Sequence, residues 1–195
     1  MTEKEKNLIS QNIFIISGPS GAGEDSIISG LTKDLEIERV ITTTTRPMRV
    51  GDSQGDPYYF ISLEEFKDKI VKGEFVEYAQ EYNNNYYGVS STELLRVAES
   101  GKVGLWKIEY KGVITAKKIF SDMISIFINA PLDVLVQRIK KRDGVGDKYI
   151  AERMEYTKEW LKHRNIYNFE VVNEQNKLDE AIAKTKQIIL DKQSF

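Results

Sequence analysis

The sequence predicts an α/β domain, a parallel five-stranded sheet flanked by helices and interrupted by an inserted lobe. Three observations predict it. Short apolar, β-rich runs alternate with segments of helical spacing, the pattern of strand–helix–strand units with right-handed crossovers. The first apolar run feeds "GPSGAGEDS", a glycine-spaced loop that opens a helix. From about residue 46 to 90 the alternation gives way to aromatic and polar text.

Taken in order, "IFIIS" (13–17), "RVITTT" (39–44), "VGLWKIE" (103–109), "MISIFINA" (123–130) and "FEVVN" (169–173) read as strands. Their near-continuous apolar character suits parallel strands covered on both faces. Between them, "EDSIISGLTKDL", "YKGVITAKKIF", "PLDVLVQRIKKR", "DKYIAERMEYTKEWLKH" and "KLDEAIAKTKQIILDK" carry helical spacing. Pro131 stands where a first helical turn tolerates it, and Lys and Arg gather toward that helix's end. Within 46–90, "DPYYFISLEEF", "EFVEYAQEY" and "NNNYYGVS" read as short strands around one helix, hence an inserted lobe. "KKRDGVGDKY" (140–149) reads as a mobile segment between helices. An insert and a flap on such a core suggest a site that closes over its substrates.

Composition bounds the function. A chain of 195 residues with 41% hydrophobic and 30% charged residues fits one folded unit with its own core. A net charge of -2 gives no reason to expect capture of nucleic acid or of an anionic membrane. With no cysteine there are no disulfides and no thiolate metal sites. "MTEKEKNLISQN" lacks the apolar core of a signal peptide, and no apolar run reaches membrane-spanning length. The expected location is the cytoplasm.

Gly18, Pro19, Ser20, Gly21, Ala22 and Gly23 have the spacing of a phosphate-cradling loop, G-x-x-x-x-G followed by Lys and then Ser or Thr. The lysine position holds Glu24, the next holds Asp25, and Ser26 follows. Elsewhere, Arg46 and Arg49 are planar cation forks suited to a monophosphate's oxygens. Tyr58 and Tyr87 add hydroxyl donors without charge. Glu77 is a carboxylate on an otherwise apolar and aromatic strand. Its two oxygens can accept from a pair of N–H donors.

These residues resemble the guanylate kinase family, and the similarity runs over nearly the whole chain. "IFIISGPSGAG" looks like that family's first strand and loop, and "TTTTRPMRVGDSQGDPYYF" is similar to its S-S-T-T-R-x-P-R-x-G-E-x-x-G-x-x-Y-x-F stretch. "GEFVEYAQEYNNNYYGVS" resembles E-F-I-E-x-A-x-x-x-G-N-Y-Y-G-[ST], and "VVNE" with "KLDEA" matches the closing strand and helix. The resemblance implies a P-loop kinase core (12–45 and 91–195), a nucleoside-monophosphate lobe (about 46–90) and a lid (about 140–155). It implies ATP and GMP as substrates and Mg²⁺ as cofactor. It places Thr42, Arg46, Arg49, Tyr58, Glu77, Tyr87 and Glu109 around GMP, and Arg138, Arg142 and Arg153 as lid arginines that neutralise transferring phosphoryl oxygens. Val89 occupies the place of a family hydroxyl and cannot donate; neighbouring Ser90 is expected to point the other way. His163 and Trp160 read as packing and surface residues.

The acidic loop needs an explanation. A unit pair about 4 Å apart interacts by about 4 kcal/mol at an effective dielectric near 20, so an uncompensated Lys-to-Glu reversal costs on the order of 8 kcal/mol. That is roughly six decades in rate. In "GLWKIEYKG", the family's "LDIDxQG" first carboxylate is Lys107, the second is Glu109, and the Gln position is Lys111. The loop lost a cation and the neighbouring strand gained one. This reads as a reciprocal charge swap, with Lys107 neutralising donor phosphates, assisted by Lys111, and Asp25 or Glu24 approaching Mg²⁺. Three other readings are open from the residues alone. A Glu24–Lys107 ion pair closes an inactive site; the domain binds nucleotides or peptides without catalysis; or it uses another monophosphate or another donor.

Overall fold

In a computed structural model that describes residues 1–80, 84–143 and 146–193, the chain opens with a helix that the strand–helix reading had passed over. Helix α1 (Glu3–Asn12) starts from a reciprocal capping box, in which the Thr2 side chain accepts from the Glu5 amide and the Glu5 carboxylate accepts from the Thr2 amide. The T-x-x-E spacing carries that signal in the sequence. The chain continues through β1 (Ile13–Ser17), α2 (Glu24–Leu31), β2 (Ile37–Arg39), β3 (Thr42–Thr44), β4 (Ser53–Gln54), β5 (Pro57–Phe60), α3 (Leu63–Val71), β6 (Phe75–Gln80), β7 (Tyr86–Ser90) and α4 (Ser91–Ala98). It ends with β8 (Val103–Lys107), α5 (Tyr110–Ile119), β9 (Ser125–Asn129), α6 (Leu132–Asp143), α7 (Asp147–Lys162), β10 (Phe169–Val172) and α8 (Leu178–Gln193).

One sheet is parallel throughout, in the order β10-β9-β1-β8-β2. This is the expected five-stranded core. Because β1 is covered on both sides, its five residues are all buried. Alternation sends Phe14 and Ile16 to one face, where they meet Ile27, Leu31 and Leu135. Ile13 and Ile15 go to the other, against Val97, Val113 and Phe120.

"RVITTT" is two strands, not one. Arg39 ends β2 at the edge of the parallel sheet, and Thr42 begins β3 in a second sheet ordered β4-β5-β3-β7-β6. The crossing between them is fixed by Glu93 of α4, a buried carboxylate that accepts from the Ile41 amide at 2.8 Å and from Arg96. A second boundary also differs. "VGLWKIE" leaves the sheet after Lys107, and Glu109 becomes the residue that precedes α5. The second sheet mixes parallel pairs (β3–β5, β4–β5) with antiparallel ones (β3–β7, β6–β7), and α3 seals it by burying Phe66. Residues 81–83 of the "EFVEYAQEY"–"NNNYYGVS" stretch, and 144–145 of the expected flap, lie outside the described residues.

Candidate functional site

The glycine loop leaves the carboxyl end of β1, which lies between β8 and β9, the position where open α/β sheets bind ligands. Beneath it, the buried Ser17 hydroxyl donates to the Ile108 carbonyl at 2.6 Å and accepts from Tyr167 at 2.9 Å. At Gly23 the backbone has φ +99°, and an added Cβ would stand 2.5 Å from Asn173 Nδ2, so only glycine fits. Asn173, 2% exposed, donates to the Ala22 carbonyl at 2.8 Å. Arg138 of α6 donates to the Gly21 and Ala22 carbonyls at 3.2 and 3.4 Å. Its other terminal nitrogen serves the Asn173 and Glu174 carbonyls at 3.2 and 3.1 Å. Arg138 therefore clasps the loop to the segment that follows β10. Arg142, one turn on, donates to Ser20 Oγ at 3.1 Å. Arg153 donates to the Tyr149 hydroxyl on its own helix at 3.0 Å.

At the loop's mouth the acids and cations meet. Glu24 opens α2 and is partly buried. Burial pushes its carboxyl up to about 7, against the attraction of Lys107 and hydrogen bonds from the Glu24 and Gly23 amides. Lys107 ends β8, paired in register with Ile16 of β1. Its ammonium lies 2.5 Å from Asp25 Oδ2, so the ion pair at the loop is made with Asp25 and not with Glu24. Arg39 reaches the other oxygen of the same carboxylate at 3.3 Å. Partial burial works to raise Asp25, but Lys107 and Arg39 together hold it below its ordinary value. Among the described residues no group of three or more His, Cys, Asp or Glu side chains gathers to hold a metal. Any cation at Asp25 or Glu24 must take its other ligands from elsewhere, such as phosphate oxygens.

The second sheet builds a separate cluster around a buried arginine. Arg46 is 8% exposed, with its guanidinium 2.7 Å from Asp52 and 5.3 Å from the ring centres of both Tyr58 and Phe60. Tyr58 packs edge-on to Tyr87 at 5.8 Å, and Thr42 stands in register with Tyr58 on the adjacent strand. Asp52 also accepts from the Arg49 amide at 2.8 Å. That bond, with the charge of Arg46, holds the Asp52 carboxyl low. One acid thus holds the side chain of Arg46 and the backbone of Arg49.

Glu77 of β6 turns toward α5, where a Cβ added to Gly112 would lie 3.1 Å from its Oε1. On the same first turn, Glu109 accepts from the Tyr156 hydroxyl of α7 at 2.6 Å. Lys111, two residues after Glu109, lies 6.0 Å from the Tyr110 ring centre. Val89 is 1% exposed in the core, and Ser90 caps α4 by accepting from the Glu93 amide at 3.1 Å. Neither supplies the hydroxyl that the family pattern has there. Trp160 is buried and His163 stacks on Tyr110 at 4.8 Å, so both serve packing.

Sequence reasoning passed over Asp52, Asn173, Tyr156, Tyr167 and Arg39. Asp52 had a signal, an acid shortly after two arginines in a turn-rich stretch. Arg39 had none, because one charged residue at a strand end looks like any solvated charge.

A family model described as guanylate kinase matches residues 10–192. A guanylate kinase of Hydrogenovibrio crunogenus is 35% identical over 181 residues, covering 92% of this chain and 87% of that protein. One of Mycoplasmoides gallisepticum is 36% identical over 181 residues, covering 91% of each. The fold is similar to the crystal structure of guanylate kinase from Anaplasma phagocytophilum, with a TM-score of 0.72 over 94% of this chain and 86% of that one, at 24% identity.

Proposed function

The chain belongs to the guanylate kinase family, and from that premise we propose that it transfers the γ-phosphoryl group of ATP to GMP, giving ADP and GDP. The observation that carries this reading is the side-chain cluster around Arg46. A buried guanidinium, held by Asp52 and packed against the rings of Tyr58 and Phe60, with Tyr87 edge-on to Tyr58, is set to take a monophosphate's oxygens before the substrate arrives. Glu77 accepts the guanine N1–H and amino hydrogens, and Thr42 donates to the carbonyl oxygen; adenine offers no such donor pair there. Arg49 and Tyr87 complete the phosphate clamp, and Glu109 orients the acceptor.

On the donor side, Lys107 neutralises the phosphates that a loop lysine would ordinarily hold, from the end of the strand beside the loop. The exposed Asp25 carboxylate, a hard oxygen donor at the position of the family hydroxyl, fits Mg²⁺ chemically, with Glu24 beside it. Mg²⁺, when bound with ATP, spreads the negative charge of the phosphates. Arg142, already at Ser20, and Arg153 on the lid helix neutralise transferring oxygens as the lid closes. Arg138 contributes by holding the loop in shape.

The test is purified protein with ATP, Mg²⁺ and each nucleoside monophosphate in turn, with products identified by mass. GMP is expected to give GDP, and AMP, CMP and UMP little or nothing. A second reading, a nucleotide-binding module without turnover, is favoured by one observation, the Asp25–Lys107 pair across the loop mouth. GMP binding without ATP binding in calorimetry would establish it.

A further inference from the structure

We infer that Arg39 is a second donor-phosphate-binding residue, presented with Lys107 at the mouth of the glycine loop by the one carboxylate they share. The inference rests on the ATP-dependent reading above.

The geometry comes from three neighbouring elements. β2 pairs in parallel with β8 through Arg39 and Leu105, and β8 pairs with β1 through Lys107 and Ile16. Both cations therefore leave the sheet at its carboxyl edge, beside the loop that follows β1. They converge on Asp25, in the first turn of α2, from opposite sides: Lys107 on Oδ2 at 2.5 Å and Arg39 on Oδ1 at 3.3 Å. The Arg39 backbone is fixed, its carbonyl accepting from Arg96 at 3.1 Å and the next amide bonding Leu105 at 2.9 Å. Its side chain is not, being 53% exposed.

Charge explains why a cation is needed there. Relative to a loop carrying Lys and then Ser or Thr, Glu24 and Asp25 move the mouth three units toward negative. Lys107, replacing a carboxylate, restores two. Arg39 supplies the third. With Glu24 counted, the two cations and two carboxylates at the mouth balance, so no excess negative charge is left there to repel a polyphosphate. The Lys107, Arg39 and Asp25 side chains are 40%, 53% and 66% exposed, so the ion pairs are weak and easily exchanged for phosphate oxygens. A planar fork on a fixed backbone suits such oxygens better than a second ammonium would.

The experiment compares the wild-type chain with Arg39→Ala, Arg39→Lys, Asp25→Asn and the Arg39→Ala/Asp25→Asn double variant. It uses steady-state kinetics in Mg²⁺ and calorimetric titration with ATP, ADP and AMP. The KM for ATP is expected to rise about tenfold in Arg39→Ala, with the KM for GMP unchanged and much of the loss recovered in Arg39→Lys. The affinity loss should grow from AMP to ADP to ATP and persist in the Asp25→Asn background. An unchanged KM for ATP, an equal loss for AMP and ATP, or a loss that vanishes when Asp25 is neutralised would overturn the inference. The last of these would mean that Arg39 acts only by positioning Asp25. A wild-type chain that binds ATP but makes no GDP sinks the kinase reading alone, since the affinity series still decides Arg39. One that binds no ATP overturns both.

Discussion

Glu24 is a partly buried acid at the head of the helix that follows the glycine loop, and its proton is the residue-scale consequence. Its carboxyl sits at about 7 in the folded chain against an ordinary 4.5, because burial disfavours the charged form. Between those values the folded state keeps a proton that the unfolded chain has released, so stability falls as pH rises through this window and the penalty is complete above 7. Glu24→Gln is therefore expected to stabilise the protein at pH 8, by at most about 3 kcal/mol, and to leave it little changed below pH 4.5. Denaturant titrations at the two pH values check it; an equal gain at both would mean that packing, not the proton, is responsible. A polyphosphate arriving without Mg²⁺ raises the same group further, so ATP binding in chelator near pH 7.5 should take up a proton, read from calorimetry in buffers of different ionisation enthalpy. Lys107 gives the complementary expectation. Turnover of GMP should survive Glu24→Ala better than Lys107→Ala, which should lose two or more decades in kcat/KM for ATP. A Lys107→Ala enzyme with an unchanged rate would remove the swap.

Among elements, the informative junction is α5 against β6. Gly112 lets the Glu77 carboxylate lie on the first turn of α5, and a methyl there would stand 3.1 Å from Oε1 and 3.2 Å from Cδ. Gly112→Ala should push Glu77 off its place and raise the KM for GMP several-fold while sparing the KM for ATP. Equal changes in both would show that the helix, not the carboxylate, had moved. Neither half of this junction was legible as a contact, although Glu77 itself was. The sequence announced chemistry by residue type: glycine spacing for the loop, arginines and tyrosines for the clamp, apolar runs for β1, β8, β9 and β10. What it concealed was which side chains are already engaged. Arg138 read as a lid cation, and its bonds to loop carbonyls were not legible, because nothing local shows that α6 crosses the loop. "RVITTT" read as one strand because β-branched residues suit either sheet, and the break at Val40–Ile41 is set by the distant Glu93. Helix α1 was legible in its capping box and was overlooked because its mean hydropathy is polar.

At the scale of the whole molecule, the two sheets share one apolar cluster, which Val89 of β7 enters, but the second sheet has a further support of its own. The parallel sheet has apolar clusters on both faces, whereas the second sheet relies on α3, with Phe66 stacked on Phe75 at 4.3 Å and tilted against Tyr86 at 5.4 Å. Phe66 is fully buried, so Phe66→Ala should cost about 3–5 kcal/mol locally. Because few other apolar groups hold α3 to its sheet, that loss should fall on the lobe and leave the parallel core folded. Amide exchange should then accelerate in β3, β5, β6 and β7 while β1, β8 and β9 keep their protection. Arg46, Tyr58 and Tyr87 belong to the loosened sheet, so GMP binding weakens with it; the loop, clasped to the core by Arg138 and Asn173, keeps its affinity for ATP. Saturating GMP should also restore the lobe's protection, by about 2.7 kcal/mol at a hundred times the dissociation constant, since only the ordered lobe binds it. Uniform acceleration across both sheets, or equal loss of ATP and GMP affinity, would mean that the molecule unfolds as one unit, and that closing of the lobe over its nucleotide is not an independent motion.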